Sequence, residues 1–212
     1  MPKNPILDEL LKAQRNSQGN VATMFGLASD ALVRLARSGG VSEAHILEAL
    51  GYLEGEGQAL DKYFRGCIAC AIVLSAENCW PLSDATRFIV NWVGCRSLAD
   101  AGVNRDVAGA ISAMAEAALK WAPPDAPVQI RVYLLCQLAA SRRVLGDCGT
   151  ALTTLSQALS LCRGLEDPKT QGFEPDTIRS HLAGMAVLFG LLGDKDSSLA
   201  ASDEAARWAV QR

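Results

Sequence analysis

Along most of the chain, apolar residues return at i, i+3, i+4 and i+7, and strict alternation never lasts. This pattern predicts ten helices and no strand. They cover about 5–15, 18–38, 42–54, 57–77, 82–101, 104–122, 127–145, 148–163, 175–192 and 195–211. The breaks have local causes. Ser38-Gly39-Gly40 closes one helix, and Trp80-Pro81 and Pro123-Pro124 interrupt others, because proline lacks a backbone donor and restricts its predecessor. Asp125 and Asp176 are candidate N-caps for the helices that follow them. The polar stretch 164–174, GLEDPKTQGFE, is the best candidate for a mobile loop.

The turns themselves repeat. Leu-Gly-Asp occurs in LGDCGTALTTLSQAL and again in LGDKDSSLAASDEAA. Taking the glycine as an anchor, Gly55, Gly102, Gly146 and Gly193 follow at intervals of 47, 44 and 47 residues. Each falls between two expected helices, where a residue tolerant of positive φ ends the first.

Positions 5, 6, 9, 12, 13 and 16 after each glycine form one helical face. After Gly146 that face is Ala151, Leu152, Leu155, Ala158, Leu159 and Cys162; after Gly102 it is Val107, Ala108, Ile111, Met114, Ala115 and Ala118. After Gly193 it is small and partly polar, running Ser198, Leu199, Ser202, Ala205, Ala206 and Ala209, as suits a terminal helix. After Gly55 only Asp61 breaks the apolar pattern. Seven residues before the turn stand small residues, Cys95, Ala139 and Ala186, but Glu48 takes that place in the first copy.

These residues resemble the tetratricopeptide repeat family. The family's small residue, turn glycine and two second-helix alanines map onto Ala139, Gly146, Ala151 and Ala158, then onto Ala186, Gly193, Ser198 and Ala205. The match is good over about 127–211, weaker over 82–122 and marginal over 42–77, and the period exceeds the family's usual ~34 residues. A HEAT-like helical repeat fits the period almost as well. The resemblance implies an all-α array of antiparallel helix pairs, an α-solenoid, over 41–212, with 1–40 as an N-terminal helical cap and the whole as a single domain. An ordinary helical bundle with glycine in its turns is the alternative. The resemblance also implies a concave groove lined by first helices. Registering the turn glycines sets Trp92, Arg96, Tyr133, Cys136, Arg143 and Val187 toward it, with Ala140 and Ala183 between them.

Composition narrows the function classes. The 212 residues are 50% hydrophobic and 20% charged, which is too apolar for a disordered chain. A net charge of −3 gives no global attraction to nucleic acid or an anionic membrane. The longest apolar run, 66–76, is too short to span a bilayer, and the start lacks a secretory pattern. A cytoplasmic protein is expected, and seven cysteines then read as reduced thiols rather than a disulfide framework.

Candidate chemistry is sparse. Cys67 and Cys70 form a C-x-x-C pair, a spacing used by helical thiol peroxidases of the AhpD type, but Val73 stands where those enzymes place histidine. Cys67, Cys70, Cys79 and Cys95 include only one close pair, short of the two pairs usual in structural zinc sites. His45 and His181 read as surface or partly packed residues, and no nucleophile elbow, His-Glu-x-x-His or phosphate loop occurs. No catalytic residue, metal or cofactor is expected. The reading is a protein–protein interaction module: a scaffold, adaptor or dedicated chaperone. Its groove would take an acidic or amphipathic partner helix or peptide, with aromatic anchors and arginines that a solvated face would also explain. The alternatives are a helical thiol oxidoreductase using Cys67 and Cys70, and a self-associating structural subunit forming homo-oligomers through the open ends of the array.

Overall fold

A computed structural model describes residues 4–56, 59–74, 80, 82–100, 102–165 and 175–210. All regular structure among them is α-helical. The ten helices are α1 (Pro5–Asn16), α2 (Val21–Arg37), α3 (Glu43–Glu56), α4 (Ala59–Leu74), α5 (Asp84–Ala99), α6 (Arg105–Trp121), α7 (Val128–Leu145), α8 (Cys148–Arg163), α9 (Pro175–Leu191) and α10 (Lys195–Val210). They fall within a few residues of the periodicity's boundaries.

The chain forms two compact units, Met1–Ala122 and Pro123–Arg212. This partition differs from a cap over 1–40 followed by one array, because α1 and α2 share the first unit with α3–α6. There α1 packs on α2 and α3, and α2 packs on α4. Asn4, fully buried, makes the first tie: its carbonyl caps α1 at the Ile6 amide (3.0 Å), while its Nδ2 donates to the His45 carbonyl (2.9 Å) and Glu48 Oε2 (3.0 Å). Glu43 at the start of α3 makes the second. Its carboxylate accepts from Ser83 Oγ (2.6 Å), the N-cap of α5, and from Thr86 Oγ1.

The centre of this unit is α4. Phe64, Cys67, Ile68, Ala69, Cys70 and Ala71 are all buried, so the helix has core on nearly every side. It contacts α2, α3, α5 and α6. Two glycines set its closeness to α5. A Cβ at Gly66 would lie 2.5 Å from Leu98 Cδ2, and one at Gly94 would collide with Ala69 Cβ and lie 2.8 Å from Met114 Sδ. On α6 the expected face is buried at Ala108, Ile111, Met114, Ala115 and Ala118.

In the second unit the Leu-Gly-Asp turns have one structure, used twice. Gly146 (φ 94°) and Gly193 (φ 83°) take the left-handed conformation that ends α7 and α9. The aspartate amide reaches back five residues, Asp147 to the Arg142 carbonyl (2.8 Å) and Asp194 to Phe189 (3.0 Å). The same aspartate then caps the next helix, its side chain accepting from the Thr150 amide (3.2 Å) or the Ser197 amide (3.0 Å). One dipeptide therefore stops a helix and starts its antiparallel neighbour. The α5–α6 connection is a looser copy: Gly102 also has positive φ (99°), but its cap is Asn104, two residues on, at the Val107 amide (3.2 Å).

These hydrogen bonds hold the carboxyls of Asp147 and Asp194 below their usual range, with Thr150 and Ser197 as the main partners. A carboxyl depressed in the folded state stabilises above its unfolded pKa of about 3.9 and loses that contribution as pH falls through the folded value. Asp147→Ala should therefore lower Tm by a few degrees at pH 7 and by much less at pH 2, as read by circular dichroism melts.

Four sequence expectations are corrected. Gly55 lies inside the last turn of α3 rather than at a positive-φ turn between two helices. The N-cap of α7 is Pro127, without a side-chain bond; Asp125 sits in a turn closed by the Ala126 amide on the Pro123 carbonyl (2.9 Å). Asp176 lies within the first turn of α9, paired with Arg179 (3.2 Å), because Pro175 already occupies the helix. On α10 the buried positions are Ala201, Glu204, Ala205 and Trp208, whereas Leu199, Ser202, Ala206 and Ala209 are exposed. The side chains of Leu60 and Asp61, and the stretch 166–174, lie outside the described residues.

Candidate functional site

Trp92 and Arg96 stand one turn apart on α5, so the helical repeat stacks them on one side. Another side of α5 is committed to packing: Phe88, Val90, Gly94, Cys95 and Leu98 are buried. Because Gly66 and Gly94 let α4 and α5 approach closely, Arg65 on α4 comes up beside that stripe. The result is a cleft of about 350 Å³, lined by Glu54 of α3, Arg65 of α4, and Trp92, Val93, Arg96, Ser97 and Asp100 of α5.

The cleft's electrostatics are unusual for so small a space. Neither guanidinium makes an ion pair among the described residues, although Glu54 and Asp100 stand at the same rim. Arg65 Nε is buried without a hydrogen-bond partner. A buried donor left unpaired costs about 1–3 kcal/mol, which an incoming acceptor recovers. Two guanidinium forks beside an indole offer bidentate hydrogen bonds to a carboxylate or phosphate and a flat apolar surface for what it is attached to.

The expected groove residues divide between the two units. Trp92 and Arg96 are brought together in this cleft. Tyr133, Cys136, Arg143 and Val187 belong to the second unit and are not among its lining. There, Tyr133 meets His181 edge-on, with ring centroids 6.2 Å apart at 73°. Burial holds the His181 pKa below its usual value. Cys136 is pushed up to about 12 by burial and by the neighbouring Cys162. Arg143 Nε is buried without a partner, while Arg142 donates to Thr154 Oγ1 (2.9 Å) across the hairpin. Val187 lies about 120° round α9 from His181, on the outer face, so it does not share Tyr133's surroundings. Arg65 was not among the expected residues; it stands alone before an apolar run and carries no periodic signal.

The thiols of Cys67 and Cys70 sit in the α4 core. Burial raises both, Cys70 to about 11 and the Cys67 thiol further. A buried neutral thiol is a poor nucleophile at neutral pH. Cys95 is likewise pushed to about 12 by burial. Among the described cysteines only Cys148 is exposed. Iodoacetamide at pH 7.5 should label Cys148 within minutes and Cys67 and Cys70 only after denaturation, as peptide mapping would read. Rapid native labelling of the C-x-x-C pair would revive the oxidoreductase alternative. Cys79, the remaining member of the zinc candidate set, lies outside the described residues, and no group of three or more His, Cys, Asp or Glu converges among the described ones.

Among the described residues, no helix is long and apolar enough to cross a membrane. Comparison of the chain with protein-family models, curated proteins and solved structures finds no match.

Proposed function

We propose that this chain is a protein-interaction module, an adaptor or dedicated chaperone, that captures an acidic segment of a partner in the α3–α5 cleft. The observation that carries this reading is Arg65 and Arg96, without an ion pair among the described residues, beside Trp92. An Asp or Glu side chain would occupy the space between the two guanidinium groups, and the flanking apolar residue would lie on the indole. Arginine and tryptophan in a partly desolvated pocket are the residue types that dominate binding energy at protein interfaces. The hairpins joined by Gly146-Asp147 and Gly193-Asp194 support a tetratricopeptide-like reading of the second unit. A reducing, cytoplasmic setting suits the seven cysteines.

The test is tryptophan fluorescence titrated with short peptides bearing adjacent Glu residues, against the same peptides with Lys. Saturable quenching by the acidic series, absent in Trp92→Phe, is expected. Equal response to both series would end this assignment.

A further inference from the structure

Helices α3 and α5 run parallel and in register. At their starts, Glu43 of α3 accepts from Ser83 Oγ (2.6 Å) and Thr86 Oγ1 of α5. At their ends, Glu54 of α3 lines the cleft with Arg96 and Asp100 of α5. Counting from the Glu43 tie, Leu47 stands level with Ile89, Gly51 with Val93, and Glu54 with Arg96 and Ser97. The inner sides are spent on the core, where Ile46, Leu50 and Leu53 of α3 and Val90 and Leu98 of α5 are buried.

The outer sides carry a second pattern. On α3, Ala44, Leu47, Gly51 and Glu54 are exposed and follow one another at steps of three, four and three residues. On α5, Ala85, Ile89, Trp92 and Arg96 are exposed or half-buried and follow at steps of four, three and four. Alternating steps of three and four keep side chains on one seam of a helix, the spacing at which a further helix inserts its own side chains. The two seams lie on the same side of the α3–α5 junction. Both end on the cleft, where Glu54, Trp92 and Arg96 meet Arg65. At the other end the large side chains are Leu47 and Ile89, 42% and 43% exposed. Gly51, between the ends, is exposed and has no side chain to hold a neighbouring backbone away. The carboxylates of α3 beside the apolar end are engaged within the unit, Glu43 by the two hydroxyls and Glu48 by Asn4 Nδ2 (3.0 Å).

We infer that the acidic segment captured by the cleft is an amphipathic helix of the partner, lying along α3 and α5 with its apolar residues on Leu47, Gly51 and Ile89. The inference rests on the acidic-capture reading and adds to it a second subsite and the conformation of the ligand. Two features select this occupant. The apolar seams recur at the pitch of a helix on both walls. They also end on guanidinium groups, which call for a carboxylate at that end alone. From Leu47 to Glu54 is seven residues, two turns or about 10 Å. The partner helix therefore carries leucine-like residues at i and i+4 and its Asp or Glu at i+7.

Fluorescence anisotropy of labelled alanine-rich peptides, titrated with the full chain, tests this. The reference peptide has Leu at i and i+4 and Glu at i+7. One variant moves both leucines two positions along, off the face that carries Glu; a second places Pro between the leucines; a third has Lys for Glu. All three should bind at least ~10-fold more weakly than the reference. Leu47→Gln with Ile89→Gln should erase the penalty for misplaced leucines and keep the preference for Glu over Lys, with unchanged helicity because both side chains already meet solvent. Equal binding of the three Glu-bearing peptides, with Lys still rejected, overturns the helix and leaves acidic capture standing. A leucine preference that survives the double substitution overturns it too. So does a dimer of the chain that dissociates on the double substitution, which would give the seam to a second copy. Equal binding of the Glu and Lys peptides strikes the acidic anchor instead.

Discussion

Gly94→Ala is expected to destabilise the first unit by about 3 kcal/mol, lowering its Tm by about 10 °C. The cost comes from overpacking. The added methyl meets Ala69 Cβ inside contact distance and Met114 Sδ at 2.8 Å. Met114 can change rotamer, but Ala69 has none to change, so α4 and α5 must separate. Separation opens the core that Ile68, Cys67 and Leu98 fill. The same substitution at Gly109 on α6, where a Cβ meets nothing within 4 Å, should instead stabilise by about 0.5–1 kcal/mol by removing glycine's backbone freedom. Ala69→Gly should partly rescue Gly94→Ala, and a non-additive double-mutant cycle would localise the effect to that contact. Calorimetry showing a neutral Gly94→Ala would mean that the two helices are not so close.

The second large effect concerns the cleft. Arg65→Ala and Arg96→Ala should each weaken capture of an acidic peptide about 10–100-fold, and their combination should remove it. The two should differ in kind. Arg65 is half-buried with an orphaned Nε, so its loss should act mainly on the dissociation rate. Arg96 is exposed at the mouth, so its loss should slow association and flatten the salt dependence. Neither substitution should change the circular dichroism spectrum, since neither guanidinium holds an ion pair among the described residues. Surface plasmon resonance at two salt concentrations separates these effects. Identical kinetics for wild type and both variants would place the binding surface elsewhere.

Much of the fold was legible because its causes are local. The turn at Gly146-Asp147 is specified by a residue that accepts positive φ followed by a carboxylate that caps, and both are visible in the sequence. The buried face of α6 follows from spacing alone. The errors share a physical origin: they depend on neighbours in space. On α10 the spacing pointed to the flank that another helix would cover, but only α8 and α9 are there, so burial moved to Ala201, Glu204, Ala205 and Trp208. Gly55 resembled its counterparts by interval, yet α3 continues through it. Nothing in the chain marks Gly66 and Gly94 as the points where α4 and α5 come together. The candidate site was half legible: Trp92 and Arg96 share a face by their spacing of four, while Arg65 reaches them only because α4 and α5 lie so near.

The Gly-Asp turns have a consequence in time as well as in space. Each hairpin of the second unit closes with only two or three residues between its helices, so its main contacts join parts of the chain that meet early and at little entropic cost. Stop and start signals that sit side by side do not wait for distant strands of sequence to arrive. Folding of this unit should therefore begin at Gly146 and Gly193 and spread along each helix pair, with the packing of one hairpin on the other as the later event. A segment assembled in that order spends little time with its apolar faces open, which matters for a chain whose last hairpin keeps one such face uncovered even when folded.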